Sequence, residues 1–286
     1  MSAEIVEIQK VLLDIYKEYY RICIDYNLSF FGIGGTCLGA IRHKGFIPWD
    51  DDMDIVMPYP DYKKFLEICK TELKDPYGLI LSEKCPHCNY IFCKIQNKNT
   101  TSIDKFYEKY YDTYRGVNID IFPFFGLPHN RIKRFILRKI NTILIYLDYK
   151  IRFPIEDNKS IFGKMMWIGI TPFRLFCNYS WATEMQKKIF EKYSIESSEK
   201  IIFPWRPIPK TSKNGVYQDV FFREDFSEYI KKDFENCNIR IPIGYDRYLR
   251  MEFDKYWELP NEKDRKPLHD KAILDLHKSY TNYLNN

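Results

Sequence analysis

The sequence has no apolar run long enough to cross a membrane as a helix. Such a helix needs roughly 18 or more uncharged apolar residues, and no stretch of the 286 residues reaches that length. Residues 1–20 also lack the apolar core and the cleavage site of a secretory signal peptide. Internal repeats and low-complexity segments are missing as well. These absences predict a protein that is soluble or peripheral to a membrane.

A strong charge excess is missing too. Lys and Arg number 44 against 39 Asp and Glu, which gives a formal net charge of +5. This mild basic excess suits anionic ligands or membrane surfaces, and no nucleic acid is expected as a partner. The eight cysteines are scattered and predict a reduced, cytoplasmic setting. The pair in CPHC, residues 85–88, is expected to be incidental thiols rather than a redox or zinc site.

The order of predicted elements indicates an α/β (α+β) fold. Apolar residues recur at three- and four-residue spacing over residues 4–27, which predicts an amphipathic helix. Short apolar runs bounded by turns predict strands between helices, so we expect a mixed β-sheet core flanked by helices. The predicted strands are SFFGIG (29–34), DMDIVMP (52–58), GLILS (78–82), NYIFCKIQ (89–96) and GVNIDIF (116–122).

The composition of the sequence changes after residue 128, where stretches rich in basic and aliphatic residues and then in aromatic residues begin. We therefore divide the chain into a core, residues 1–128, and a mostly helical subdomain, residues 129–286, that completes the substrate site. A terminal helix is predicted over residues 264–284. Its two histidines, His269 and His277, are about two helical turns apart and are expected to be packing or surface residues.

Four aspartates stand within five positions where WDDDMDIV, residues 49–56, enters an apolar segment. Since alternate side chains of a strand share a face, Asp50, Asp52 and Asp54 should point one way. Carboxylates this close repel each other, and hard oxygen ligands on one face suit Mg²⁺, with Mn²⁺ as the alternative ion. The sequence therefore predicts a divalent cation here, and the plainer alternative is a solvated acidic loop.

Two further features support such a site. Asp120 stands in the apolar run GVNIDIF, where an unpaired buried carboxylate would be costly, so it should face a site unless it caps a helix or forms a salt bridge. In GIGGT, residues 32–36, glycines at a strand-to-helix turn let backbone N–H groups approach a phosphate. A Rossmann turn fits less well, because Cys37 occupies the place of its third glycine.

Four motifs in this order resemble the LicD family of phosphotransferases, bacterial relatives of fukutin-related protein in the nucleotidyltransferase superfamily. They are GGTCLGAIRHKGFIPWDDDMDIVM (34–57), FCKIQNKNTTSID (92–104), GVNIDIFPF (116–124) and IPIGYDRYL (241–249). The resemblance implies a nucleotidyltransferase-like sheet in which a glycine pair opens the first helix, an acid-x-acid pair opens the next strand and a third acid lies on a later strand. Those places fall here on Gly34, Gly35 and Thr36, on the metal ligands Asp52, Asp54 and Asp120, and on Asp50 as a fourth acid.

The same resemblance implies a phosphotransferase. It would move phosphocholine or another substituted phosphate from a CDP-linked donor to a hydroxyl of a cell-surface glycan, such as lipopolysaccharide, teichoic acid or capsule, either free or lipid-linked. Asp120 would act as third ligand or general base. Arg42 and Lys94 are candidates to meet donor phosphate oxygens, and His43 is a candidate to contact substrate.

Two other classes stay open. A true nucleotidyltransferase would move a nucleoside monophosphate from a nucleoside triphosphate onto a small molecule, sugar or RNA. A non-catalytic membrane-associated scaffold is the third class, and the presence of all four acids argues against it. The basic aliphatic stretch 131–152 either contacts the inner face of the membrane or packs on the core as an amphipathic helix.

Overall fold

The computed structural model describes residues 3–88, 91–110, 113, 115–154, 168, 180–206, 219–267 and 269–283. The α-helices in these ranges are α1 (Ala3–Asp25), α2 (Gly34–Arg42), α3 (Tyr59–Glu72), α4 (Arg131–Arg152), α5 (Trp181–Phe190) and α6 (Tyr245–Phe253). The strands are β1 (Phe31–Gly32), β2 (Asp54–Pro58), β3 (Tyr77–Leu81), β4 (Cys93–Asn97), β5 (Thr101–Asp104), β6 (Asn118–Gly126), β7 (Lys200–Ile202), β8 (Val220–Phe222), β9 (Tyr229–Phe234), β10 (Cys237–Pro242) and β11 (Lys271–Asp275).

A mixed sheet of seven strands lies at the centre of the described chain. Its main order is β1-β2-β6-β4-β3, and β7 pairs with the far end of β6 and with β8. Strands β2 and β6 run parallel, which sets Asp54 beside Asp120, whereas β4 runs antiparallel to β6 on its other side. These pairings confirm the predicted mixed sheet flanked by helices.

Helices α1 and α3 cover the sheet through apolar stripes. On α1, Ile8, Leu12, Ile15 and Tyr19 recur on one face and are buried. The ring of Tyr19 packs edge-on to Phe30, with centroids 5.1 Å apart. Burying a large apolar side chain contributes about 1.5–3 kcal/mol, so this stripe explains why the helix predicted over residues 4–27 forms where it does.

Beyond residue 128, strands accompany the helices. Strand β7 pairs with β6, so the sheet continues past this point of the chain, and β9 forms an antiparallel hairpin with β10. The division of the chain at residue 128 stays a prediction.

The predicted terminal helix over residues 264–284 is wrong. Its Lys271–Asp275 portion is β11, which pairs antiparallel with β5. The ammonium of Lys271 lies 2.7 Å from the Asp104 carboxylate across this pair. Pairing with β5 therefore overrides the helical pattern of the local sequence. Such long-range pairing cannot be read from the pattern of one segment.

The CPHC pair also differs from expectation. Cys85 and Cys88 are joined by a disulfide, so the prediction of incidental thiols is wrong for this pair. Arg152 of α4 donates to the main-chain oxygen of Cys85 at 2.9 Å, which places the pair at the C-terminal end of α4.

The central strand β6 provides a stability test. Ile121 has no exposed surface, and truncating such a side chain removes apolar contacts and leaves a cavity. We expect Ile121→Ala to lower the free energy of unfolding by about 2–5 kcal/mol, measured by denaturant titration. The control Ile24→Ala, at a position 41% exposed, should cost less than about 0.5 kcal/mol. Equal effects of the two changes would contradict the central position of β6.

Candidate active site

The acidic run leads into the start of β2, which begins at Asp54. The carboxyl of Asp50 is hydrogen-bonded to that of Asp52. The charges of Asp52 and Asp120 both act on the carboxyl of Asp54, and Asp120 is its neighbour across the parallel pair. The structure therefore brings together Asp50, Asp52, Asp54 and Asp120, which we call the acidic cluster.

Burial and mutual repulsion favour the protonated forms of Asp50, Asp52 and Asp54. Burial, followed by the charge of Asp52, raises the pKa of Asp50 to about 8. Burial also raises the pKa of Asp54 well above its ordinary value, and Asp52 and Asp120 add to the shift. For Asp52, burial raises the pKa while His269 opposes the rise. The site thus favours binding either protons or another positive species.

Lys94 on β4 supplies positive charge beside the cluster. It is 7% exposed, faces Asp120 across the antiparallel pair, and its Nζ contacts Asp120 Oδ1 and, at 3.0 Å, Asn118 Oδ1. Its charge also acts to lower the pKa of Asp54. Lys94 is therefore an internal counterion here, and its contact with donor phosphate stays a prediction.

The start of α2 touches the acidic strand. Gly34 has φ of +55°, a left-handed conformation that favours glycine, and its N–H donates to the Tyr248 hydroxyl at 2.8 Å. The Asp54 N–H donates to Thr36 Oγ1 at 2.9 Å. These two bonds fix the positive end of the helix against the cluster, where it favours an anion or a carboxylate.

Gly35 lets the cluster approach this helix closely. A Cβ atom at this position would overlap Asp50 Oδ2. The glycine pair in the GGT motif therefore has a steric reason, in addition to the phosphate contact that the sequence predicts.

Arg42 and His43 lie at the opposite end of α2, about 13 Å along a helix of this length. Arg42 donates to the main-chain oxygens of Tyr256 at 2.9 Å and Glu258 at 3.2 Å, and to His43 at 2.9 Å. With Trp49, Arg42 lines a cavity of about 640 Å³ that no aspartate of the cluster lines. The structure does not place Arg42 and His43 in the cluster.

Two basic residues near the cluster were missed by the sequence analysis. His269 Nδ1 lies 3.1 Å from Asp51 Oδ1, and this hydrogen bond raises the pKa of His269. Arg206 pairs with Glu252, and although burial opposes it, the charges of Glu252 and Asp54 help to raise the pKa of Arg206. Sequence patterns do not reveal His269 because its segment predicts a terminal helix, and no motif contains Arg206.

An aromatic surface borders Asp120. Phe122, two residues further along β6, stacks on Trp205 with centroids 4.2 Å apart and lies 4.2 Å from the ring of Phe92. The ammonium of Lys94 lies 5.5 Å from the Phe92 ring centre. We call Phe92, Phe122 and Trp205 the aromatic panel, and such rings suit a nucleobase or a quaternary ammonium.

The donor chemistry of the cluster fits a hard divalent cation. Carboxylate oxygens are the ligands that Mg²⁺ uses in proteins. Burial, with neighbouring carboxylates adding to it, raises the pKa values of Asp50 and Asp54, so a cation beside them would favour their charged forms. Within the described residues, no three His, Cys, Asp or Glu side chains already surround one point as metal ligands, and Lys94 contacts Asp120 instead. Asp52 and Asp54 are therefore the best-placed ligand pair.

Comparisons with known proteins agree with the motif resemblance. Residues 27–156 match the family model described as LicD/FKTN/FKRP, nucleotidyltransferase domain, a range that contains the whole acidic cluster. Residues 27–156 therefore form a LicD-family domain, which confirms the resemblance.

Two curated proteins illustrate the relationship. The chain is 28% identical over 273 residues to the lipopolysaccharide cholinephosphotransferase LicD of Haemophilus influenzae, covering 92% of this chain and 95% of that protein. It is 31% identical over 110 residues to an uncharacterised protein of Rickettsia typhi, covering 36% of this chain and 33% of that protein.

Removing one carboxylate should stabilise the metal-free protein. The folded state holds protons on Asp50 up to about pH 8, above the ordinary carboxyl value, so the cluster destabilises the fold increasingly as pH rises through this window. We expect Asp52→Asn in EDTA to raise the free energy of unfolding by about 1 kcal/mol or more near pH 8.5, and by less near pH 5. The control Asp14→Asn, at an exposed site on α1, should show no such pH dependence. Destabilisation by Asp52→Asn near pH 8.5 would contradict mutual repulsion.

The His269–Asp51 contact should stabilise the fold at low pH. Because the pKa of His269 is raised, its contribution is fully present below the ordinary histidine value and is lost as pH rises through the folded value. We expect His269→Gln to lower the free energy of unfolding by less than about 1 kcal/mol near pH 5.5 and by little near pH 9. His277→Gln, at an exposed position, is the matched control. A loss that does not change with pH would exclude this ion pair.

Proposed function

We propose that this chain is a Mg²⁺-dependent phosphotransferase that moves phosphocholine from a CDP-linked donor to a hydroxyl of a cell-surface glycan. The observation that carries the proposal is the convergence of four carboxylates against the start of α2, inside the LicD-family domain. The Haemophilus influenzae relative is a lipopolysaccharide cholinephosphotransferase, which supports the transferred group and the glycan acceptor.

We assign the metal to Asp52 and Asp54, with Asp120 completing the ligand set. Lys94 contacts Oδ1 of Asp120, so Oδ2 is the atom we assign to the metal. When bound, Mg²⁺ would neutralise the donor diphosphate and, as a Lewis acid, polarise the oxygens on the phosphorus that is attacked.

The residues of the chain would bind and align the two substrates. The first turn of α2 lies against the cluster, and its Gly35 and Thr36 N–H groups would suit donor phosphate oxygens. Lys94 and Arg206 add positive charge on two further sides. The aromatic panel borders Asp120, and its half-buried member, Trp205, would contact the choline ammonium or the cytosine. Together they would hold the donor with its phosphorus beside the carboxylates.

The reaction itself is a substitution at phosphorus. The acceptor hydroxyl oxygen bonds to the phosphorus of the phosphocholine group, and the bond from that phosphorus to the bridging oxygen breaks. CMP leaves with the electron pair of that bond, and the hydroxyl proton passes to a carboxylate of the cluster. Alignment of the attacking and leaving oxygens is the main task of the site, because the transition state needs little covalent help.

A nucleotidyltransferase is the second candidate, because the matching family model is described as a nucleotidyltransferase domain. It would use the same cluster on a nucleoside triphosphate and leave a nucleoside monophosphate on the acceptor. The mass added to the acceptor distinguishes the two reactions, since phosphocholine and a nucleotide differ greatly in mass.

A donor assay tests the preferred function. With Mg²⁺, CDP-choline and a glycan acceptor that lacks phosphocholine, the protein should release CMP and add the mass of phosphocholine to the glycan. EDTA should abolish turnover, and Asp54→Asn should lower it about 100-fold or more, because a charge that stabilises the transition state is lost. Asp14→Asn, an exposed change on α1, should leave the rate unchanged.

Three other results, from this assay or from heat denaturation with other donors, would change or overturn the proposed function. Addition of a nucleotide mass from a nucleoside triphosphate would select the second candidate. Stabilisation against heat by CDP-ribitol or CDP-glycerol, but not by CDP-choline, would keep the reaction class and replace the transferred group. Full activity of Asp54→Asn would remove the acidic cluster from the chemistry.

A further inference from the structure

Helix α4 packs on the protein through its polar side chains. Arg138 holds Asp219 with two bonds of 2.8 and 2.7 Å, and Asn141 donates to the main-chain oxygen of Pro204 at 3.1 Å. Arg152 pairs with the buried Asp148 one turn earlier. The inward face of this helix is therefore held by ion pairs and hydrogen bonds together with Leu137 and Leu144.

The opposite face of α4 exposes large apolar side chains. They lie along one side of the helix, and each is between 36% and 71% exposed. These residues, which we call the outer stripe, are Ile132, Phe135, Ile136, Ile140, Ile143 and Tyr146. A surface helix normally turns such a stripe toward the core. A contiguous exposed apolar face of this kind marks a surface that binds an apolar partner.

The charges beside the outer stripe indicate which partner fits. Lys133 and Lys139 are exposed on the same helix, whereas its only acidic residue, Asp148, is buried. At its N-terminal end, α4 borders a cavity of about 610 Å³ lined by further cations, including Lys200 and Arg247, and by aromatic rings. A second copy of the chain would bring these lysines against each other, whereas anionic lipid phosphates complement them.

We propose that α4 lies on the surface of an anionic membrane, with the outer stripe inserted at the boundary between headgroups and acyl chains and with Lys133 and Lys139 on lipid phosphates. This geometry follows from the polar face, which is already bound to the rest of the protein. Among the described helices, none is long and apolar enough to cross a membrane. The membrane contact predicted for the whole stretch 131–152 is therefore limited to the outer stripe and the two lysines. Arg138 does not take part, because it is bonded to Asp219.

The membrane-facing helix lies behind one wall of the candidate active site. Asn141 of α4 and Gln186 of α5 both donate to the oxygen of Pro204, at 3.1 and 3.4 Å. The next residue, Trp205, belongs to the aromatic panel beside Asp120. If the proposed function is correct, docking through α4 would hold the site near a lipid-linked glycan acceptor, but the membrane contact itself does not depend on that function.

Vesicle flotation of the whole chain tests the proposal. The protein should float with phosphatidylcholine vesicles that contain phosphatidylglycerol, less with phosphatidylcholine alone, and less as salt is raised. Ile136→Ser with Ile143→Ser should weaken binding roughly tenfold or more. Lys133→Ser with Lys139→Ser should weaken it roughly fivefold for each lysine.

The control is Ile24→Ser with Ile243→Ser, two positions 41% and 43% exposed on other elements, and it should bind as the unchanged protein does. Because all these side chains are exposed, heat denaturation should confirm that every variant folds.

Absence of flotation with anionic vesicles, or equal binding of the outer-stripe variant and the control, would overturn the proposal. A dimer in solution that the Ile136 and Ile143 changes dissociate would assign the face to a second copy instead. Activity on a soluble acceptor should be unchanged in these variants, which separates this test from that of the reaction.

Discussion

The structure depends on one unfavourable interaction, the packing of several carboxylates into a half-buried space. The parallel pairing of β2 with β6 sets Asp54 beside Asp120, and the chain that enters β2 adds Asp50 and Asp52. Burial, with the repulsion of like charges, raises the pKa of Asp50, Asp52 and Asp54 and destabilises the fold. A protein tolerates this arrangement when the binding of a cation offsets the free energy lost by burying the carboxylates. The acidic cluster therefore supports our proposal of a metal-dependent site.

The surrounding elements hold this cluster in position and shape its ligand. Strand β4 places Lys94 across from Asp120, and Gly35 leaves room for Asp50 beside α2. The Tyr248 hydroxyl from α6 accepts the Gly34 N–H, so an element more than two hundred residues away along the chain fixes the start of α2. Helix α4 is hydrogen-bonded to Pro204, the residue before Trp205 of the aromatic panel. In our proposal, the exposed apolar face of α4 holds the candidate active site beside a membrane surface.

Sequence patterns predicted what is local or carried by a motif. The helix on residues 4–27 and the strand around Asp120 follow from apolar periodicity. The expected alternation of Asp50, Asp52 and Asp54 along one strand is wrong, because β2 begins at Asp54 and the first two acids precede it. The patterns failed where long-range pairing decides the outcome. Residues 271–275 pair with β5 instead of forming a helix, and this brings His269 to Asp51. Periodicity on α4 revealed an amphipathic helix, but which side faces the protein depends on Asp219 and Pro204, which lie far along the chain.

The central claim is that Asp52 and Asp54 hold a divalent cation beside the start of α2. The most direct measurement is an anomalous difference map from crystals grown with Mn²⁺ and CDP-choline. Our account predicts one strong peak within bonding distance of both carboxylates, next to the donor diphosphate. A map without a peak there, with the donor bound elsewhere and Lys94 still the main counterion of the cluster, would contradict it.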